Sequence, residues 1–266
     1  MTILVIGATG KTGRRVTTAL AERGVEHRPA SRGAGVRFDW DDPSTWRSAV
    51  DGATAVYLVP PPTTLDDAEV AAFVPVAVDA GVRRIVLLSA RGISPDDGRE
   101  RAVRESGVDW VVLRPAWFSQ NFSEDFFQPQ VAAGQVVLPS GGDGAHPFVD
   151  ARDIADVAVA ALTQEGHAGA VHELSGPRAL SFEEALAVLG DVSGRAARVV
   201  DVPPAEFVPM LVGGGLSPQY AEVLTMSLTA IRDGHDAALS DGVPSVLGRE
   251  ARSFEDYAKG AAGSWA

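Results

Sequence analysis

The run Ile3-Leu-Val-Ile-Gly-Ala-Thr-Gly-Lys-Thr-Gly13 sets an apolar tetrad directly before three glycines in a G-x-x-G-x-x-G pattern. Near-continuous apolar residues read as a strand buried on both faces. The spacing of Val16, Ala19 and Leu20 predicts a helix over 13–23. In a strand–turn–helix unit of this kind each glycine has its own task. Gly7 allows the tight turn, Gly10 lets the backbone approach a pyrophosphate, and Gly13 permits close helix–strand packing. Phosphates would rest on the helix N-terminus, where free amides and the helix dipole favour anions. A plain glycine turn is the alternative reading, and the position at the head of a βα series argues against it.

Working outward, strands are expected at 26–31, 36–38, 54–59, 84–89 and 109–113, with helices at 65–80 and 99–106. Pro29 counts against the first of these strands, because proline cannot donate to a ladder. Such alternation means a doubly wound parallel sheet. After Pro115 the alternation breaks over 116–147, a stretch rich in aromatics, glycine and proline. A helix at 153–163 and a last strand at 171–174 return to the sheet. Ser181-Phe-Glu-Glu184 reads as a capping box opening a further helix, and the remainder to about residue 260 reads as helical with loops. The expected fold is α/β, a Rossmann-type doubly wound parallel sheet with a small C-terminal substrate-binding lobe. Residues 1–115, with 148–176 returning to them, form the dinucleotide-binding core. Residues 116–147 and 177–266 form the smaller lobe over the carboxyl ends of the strands, where ligands bind in such sheets.

Composition removes several function classes. The 266 residues include no cysteine, which excludes disulfides, thiolate metal sites and cysteine nucleophiles. A net charge of −12 without any long basic run disfavours nucleic acid as a partner. His27, His167, His172 and His235 are scattered, so no histidine metal cluster is expected. No targeting segment precedes the first strand, and no apolar run is long enough to span a bilayer, so a cytoplasmic protein with no membrane partner is expected. Only Lys11 and Lys259 are available to a mechanism that needs lysine.

The end of the second strand selects the dinucleotide. It reads Ala30-Ser31-Arg32, with no acid to hold a ribose 2′-hydroxyl, and Glu26 falls at the start of the strand, too early to reach it. Arg32, with Lys11 as a second cation, suits a 2′-phosphate, so NADPH is the expected cofactor. A solvated surface arginine is the other reading of Arg32. The cofactor set is Gly7, Thr9, Gly10, Lys11, Thr12, Gly13, Ser31, Arg32, Asp39 and Trp40 (flanking the adenine), Val59, Pro60, Ser89 and Trp117.

The stretches Gly7-Ala-Thr-Gly-Lys-Thr-Gly-Arg-Arg15, Val36-Arg-Phe-Asp-Trp-Asp-Asp-Pro43, Ile85-Val-Leu-Leu-Ser89, Leu113-Arg-Pro-Ala-Trp-Phe-Ser-Gln-Asn-Phe122 and Pro147-Phe-Val-Asp-Ala-Arg-Asp153 resemble the NmrA-like, atypical short-chain dehydrogenases/reductases. Within that family the sequence is most similar to the bacterial branch resembling festuclavine dehydrogenase, a reductase of ergot alkaloid biosynthesis. The resemblance implies the Rossmann fold, an NAD(P)H cofactor and a place in secondary metabolism. The family also holds quinone reductases and redox-sensing regulators that bind the dinucleotide without turning it over.

Ordinary short-chain dehydrogenases pair a tyrosine with a lysine four residues on. The segment after Ser89 contains neither, and Tyr257 and Lys259 are too close together to substitute. Three readings follow. One is hydride delivery to an electrophile that hardly needs an acid, an iminium ion or a quinone-like compound, with the protein supplying proximity and orientation. Another is a non-catalytic NADP(H)-sensing regulator of the NmrA type. Recruitment of the cleft for a different reaction is a third.

The expected substrate is a small aromatic or polycyclic molecule held by Trp117, Phe118, Gln120, Asn121, Phe122, His146, Phe148 and Tyr220. His146, Ser89 and Asn121 are the candidate catalytic residues, with His146 the general-acid candidate. A capping or surface histidine before Pro147 is the competing reading of His146. Phe126 and Phe127 are read as packing, Asp150 and Asp153 as N-terminal caps of the 153–163 helix, and Met210, Tyr220 and Met226 as lid residues or core. The oligomeric state is not legible.

Overall fold

The computed structural model describes residues 1–33, 35–61, 67–94 and 96–265. The chain runs β1 (Ile3–Ile6), α1 (Lys11–Glu22), β2 (His27–Ser31), β3 (Val36–Arg37), α2 (Ser44–Val50), β4 (Ala55–Leu58), α3 (Ala68–Asp79), β5 (Arg84–Leu88), α4 (Gly98–Arg104) and β6 (Asp109–Pro115). It continues through α5 (Asn121–Glu124), α6 (Gln128–Ala132), β7 (Gln135–Pro139), α7 (Ala151–Thr163), β8 (Ala170–Leu174), α8 (Phe182–Ser193), β9 (Arg198–Val202), α9 (Pro204–Gly213), α10 (Pro218–Arg232), α11 (Gly242–Leu247) and α12 (Phe254–Ala261). Seven strands form one parallel sheet in the order β3-β2-β1-β4-β5-β6-β8, the Rossmann arrangement expected from the alternation.

Because successive strand residues point to opposite faces, each core strand feeds two helical layers. Ile3, Val5, Tyr57, Val86 and Val111 pack with residues of α1 and α7. Leu4, Ile6, Val56, Leu58, Ile85 and Val112 pack instead with α2, α3 and α4. Pro29 does sit inside β2. Its missing donor is tolerated because the ladder to β3 begins only at Ala30, opposite Val36. The capping box at Ser181 opens α8: Glu184 N–H donates to Ser181 Oγ (3.1 Å) while the Glu184 carboxylate accepts from the Ser181 amide (2.8 Å).

A third apolar cluster lies apart from the sheet, uniting Phe122, Phe127, Phe148, Phe182, Phe207, Leu228, Tyr257 and Trp265. Within it β7 and β9 form a parallel pair, Val136 opposite Val199, where helices and loops are expected from the sequence. Their apolar runs are too short to declare a strand alone. The helix α2 is likewise absent from the sequence reading. The expected helix at 65–80 starts at Ala68, and Leu65 and Asp66 lie outside the described residues.

Two further expectations are corrected. Asp150 caps α7, accepting from Arg152 N–H (2.8 Å), but Asp153 is the third residue of that helix, within its first turn, and is fully buried. It accepts from Arg249 Nη2 and the Arg252 backbone amide, both at 2.7 Å, and so ties the 249–252 segment to α7. His167 and His172 are not scattered, since their rings meet edge to face with centroids 5.7 Å apart. Among the described residues no helix is long and apolar enough to cross a membrane.

Candidate active site

The backbone of the glycine loop has room for nothing larger at two of its three positions. Gly7 adopts φ +73°, and a Cβ there would lie 3.0 Å from Val59 Cβ. A Cβ on Gly13 would lie 2.1 Å from the Gly7 carbonyl oxygen, inside any contact distance. Gly10 is different, with a Cβ meeting only the Gly7 oxygen at 3.2 Å, so its missing side chain leaves the loop open outward. Helix α1 has no side-chain cap and no acid in its first turn. Among the described residues the amides of Lys11, Thr12 and Gly13 find no acceptor. Thr12 itself is buried beneath the loop. A strand end, a glycine cradle and three free amides fit the pyrophosphate of a dinucleotide.

The remaining cofactor candidates lie along the same strand ends. Arg32 follows β2, is exposed, and pairs with no carboxylate among the described residues, while Ser31 is buried and its Oγ accepts from Gly33 N–H (3.3 Å). The Trp40 indole donates to the Val59 carbonyl (3.2 Å) and its ring packs edge-on against Phe38, Trp46 and Phe73. Asp39 is half-buried, and its carbonyl accepts from the Trp46 indole (2.8 Å). Val59 and Pro60 are half-buried beyond β4, and Thr9 is exposed at the loop tip.

From this loop a cavity of about 870 Å³ opens past the ends of β5 and β6. Lys11, Ser89, Trp117, Phe118, Asn121, Asp125, Phe126 and Phe127 line one side, and Leu216, Ser217, Tyr220, Val223, Leu224 and Ser227 the other. The second wall is a single face of α10 and its lead-in, since Tyr220, Val223, Leu224 and Ser227 recur at helical spacing. That periodicity is the signal by which this wall could have been found. Met226 points away and is 70% exposed, and Met210 is exposed as well, so neither lid methionine lines the cavity. Burial, and to a lesser degree the Asp125 carboxylate, pushes the Tyr220 hydroxyl up, so it stays protonated and remains a donor.

Lys11 does not turn toward Arg32, as a second 2′-phosphate cation would. Its Nζ donates to Asn121 Oδ1 (2.8 Å) and pairs with Asp125, and it lies 6.0 Å from the centre of the Phe118 ring. Arg14 and Arg15 bind Glu124 one turn away, so α1 and α5 are clamped together by charge. Burial would raise the Glu124 carboxyl, but hydrogen bonds and charge from Arg15 and Arg14 outweigh it and hold the carboxyl below its ordinary value. Asp125 and Glu124 escaped the sequence reading because nothing local marks them as partners of a loop more than 100 residues away.

Four expected wall residues stand behind the wall instead. Gln120 is buried, donating to Asp150 Oδ1 (2.9 Å) and accepting from Ala151 N–H (2.8 Å), which fixes α5 to the start of α7. Phe122 and Phe148 are fully packed in the lobe core, with centroids 5.2 Å apart. His146 has no solvent exposure. Its Nε2 accepts from Trp117 N–H (2.9 Å), and its Nδ1 lies 3.2 Å from Asp236 Oδ2, so this ring positions Trp117 and faces away from any substrate. Phe126 and Phe127, read as packing, reach the cavity as well as the core. Ser89 does line the cavity, but its hydroxyl donates to Glu100 Oε1 (2.6 Å), so its proton is committed inward.

Comparison with known proteins places this geometry. The model of the NAD(P)H-binding family matches residues 7–165. The (4-alkanoyl-5-oxo-2,5-dihydrofuran-3-yl)methyl phosphate reductase of Streptomyces griseus is 36% identical, over 96% of this chain and 96% of its own. The festuclavine dehydrogenase of Aspergillus fumigatus is 33% identical, over 100% of this chain and 99% of its own. The NADPH-dependent quinone oxidoreductase of Escherichia coli, solved in complex with NADPH, superposes with a TM-score of 0.76 at 23% identity, covering 98% of this chain and 99% of that one.

Proposed function

The chain belongs to the NAD(P)H-binding family as an NmrA-like, atypical short-chain oxidoreductase, and from that premise we propose that it is an NADPH-dependent reductase delivering hydride to an activated electrophile, iminium or quinone-like, on a flat polycyclic molecule. The observation that carries this reading is the continuity of the cavity, which begins at Lys11 in the glycine loop and ends between aromatic rings and the α10 wall. The loop amides and Arg32 would hold a dinucleotide, which would supply the hydride. The protein's own part is to orient and to exclude water. Trp117, Phe118, Phe126 and Phe127 offer flat apolar surface to a planar ring system. Among the described residues Lys11 is the only basic one lining the cavity and Asp125 neutralises it, so the cavity is not built for a phosphate-bearing substrate.

No tyrosine–lysine pair stands at the end of β5, and Ser89 gives its proton to Glu100, which favours acceptors needing little acid catalysis. We assign dinucleotide binding to residues 1–115 with 148–176, and substrate binding to 116–147 with 177–266. Two separate apolar cores that meet near Trp117 and Phe118 support this division in outline, while Val243 of α11 packs with the sheet and Phe148 with the lobe. The test is NADPH consumption against quinones, cyclic iminium salts and ketones, beside a titration of the cofactor. Turnover of one electrophile class is expected.

The regulator reading has one observation in its favour. Met210, Val212, Val223 and Met226 expose apolar surface on α9 and α10, which a partner protein would cover. Tight NADPH binding with no turnover across the panel would favour it.

Arg32→Ala is expected to weaken NADPH by about 1.5–3 kcal/mol, roughly 10- to 150-fold, the worth of hydrogen bonds to a charged group. NADH, lacking the phosphate, should be almost unaffected. Equal losses for both in parallel titrations would remove the phosphate role.

A further inference from the structure

We propose that Lys11 and Asn121 together make a hydrogen-bond donor site that selects an electrophile bearing a carbonyl oxygen, a conjugated ketone or quinone, over a cationic iminium. The inference rests on the reductase reading and narrows its substrate class.

Lysine has donors only, so the atom of Asn121 that faces Lys11 Nζ at 2.8 Å must be the amide oxygen. The flip of the side chain is thereby fixed. Its Nδ2 donors are left for the cavity, which Asn121 lines, and no residue among those described accepts from them. Lys11 reinforces the arrangement. Two of its N–H groups go to Asn121 and Asp125, and the third has no acceptor among the described residues. Behind Asn121 the scaffold is rigid, because the Trp265 indole donates to the adjoining Phe122 carbonyl (2.7 Å) and Gln120 is locked to Asp150. The site is a preformed pair of donors set at the rim of an aromatic slot.

A carbonyl oxygen accepts from such a pair; an iminium nitrogen has no lone pair to offer and leaves both donors unsatisfied, while the Lys11–Asp125 ion pair presents no net charge to it. The chemistry points the same way. Hydride addition to a conjugated carbonyl breaks the π bond toward oxygen, and that oxygen gains the electron pair. Asn121 Nδ2–H and the Lys11 ammonium stabilise the developing oxyanion, and solvent water supplies the proton that neutralises it. Hydride addition to an iminium discharges a cation and leaves the donors without a function.

The test is calorimetric titration of the protein saturated with oxidised NADP, so that no turnover intervenes, with naphthoquinone and with a dihydroisoquinolinium salt. The wild type should bind the quinone more tightly. Asn121→Asp keeps the shape and the bond to Lys11 but removes the donors. It should weaken the quinone at least roughly tenfold and leave the iminium salt unchanged or tighter. Lys11→Met, which frees the amide to flip, should also weaken the quinone. A wild type that prefers the iminium or binds neither probe overturns the proposal, as does a quinone affinity untouched by either variant. NADPH consumption with iminium salts alone would overturn it while the reductase reading stood. Quinone binding as expected without consumption of NADPH by any acceptor would instead remove the reductase reading and leave the donor site.

Discussion

A Gly10→Val chain is expected to keep its fold and lose its dinucleotide, whereas Gly13→Val is expected to destabilise the fold itself. Gly10 has extended backbone at the N-cap of α1, φ −79° and ψ 177°, which a β-branched residue adopts without strain. A Cβ there needs the Gly7 oxygen to yield only a few tenths of an ångström from 3.2 Å. Losing the N-cap glycine costs about 1 kcal/mol at most. The valine methyls, however, occupy the space through which a pyrophosphate must reach the amides of Lys11, Thr12 and Gly13. Two lost charge-assisted bonds correspond to about 3 kcal/mol, roughly 100-fold in affinity. The thermal shift given by NADPH to the wild type, about 2.7 kcal/mol of stabilisation at a hundredfold excess over Kd, should vanish in Gly10→Val. At Gly13 the added Cβ would sit 2.1 Å from the Gly7 oxygen and 2.9 Å from Ala8 Cα, both backbone atoms, so α1 must move off β1. Overpacking costs of about 3 kcal/mol or more are expected, even for Gly13→Ala. Equal melting losses for the two valine variants, or an NADPH shift retained by Gly10→Val, would contradict the division of labour within the loop.

That loop was legible from sequence because its logic is local: a strand, three glycines and a helix within a few turns of chain. The parallel sheet was legible for the same reason, each of its longer strands being a nearly unbroken apolar run. The cavity was legible only in part. Trp117, Phe118 and Asn121 follow β6 directly and face the cleft, as position alone implied. Gln120 and Phe122 alternate with them and face inward, a parity that depends on the short helix α5 rather than on residue type. His146 misled by chemistry: a histidine near a cleft looks like an acid, and only the fold shows its ring spent on the Trp117 amide and Asp236. Asp125 and Glu100 were invisible, because charge partners far apart in sequence leave no periodic trace.

Glu100→Ala should lower the melting temperature on the order of 10 °C. The carboxylate has no solvent exposure and, among the described residues, accepts from Ser89 Oγ (2.6 Å), Arg114 Nε and Nη2 (both 2.8 Å) and Arg104 Nη2 (2.5 Å). Truncation leaves Arg114, whose side chain is only 14% exposed, without its counter-charge. Breaking one half of a buried pair costs about 3–5 kcal/mol, and each kcal/mol is worth roughly 2–4 °C in a chain of this size. Burial by itself would raise the Glu100 carboxyl, but the bonds from Arg114 and Ser89 and the charges of Arg114 and Arg104 together outweigh it and hold the carboxyl below its ordinary value. The group therefore contributes stability above the pKa it has in the unfolded chain, and that contribution is lost as pH falls through the lower, folded value. Glu100→Gln keeps the shape without the charge. Its deficit should be largest near neutrality and shrink in acid, so a deficit constant with pH would contradict the ionised assignment. The same network limits what Ser89 can do. A hydroxyl whose proton already serves Glu100 can accept a hydrogen bond from a bound ligand but has no proton to give. Losing a true general acid costs roughly 10²–10⁴-fold in rate. Ser89→Ala should therefore stay within about tenfold of the wild-type turnover, and a larger loss would return Ser89 to the catalytic set.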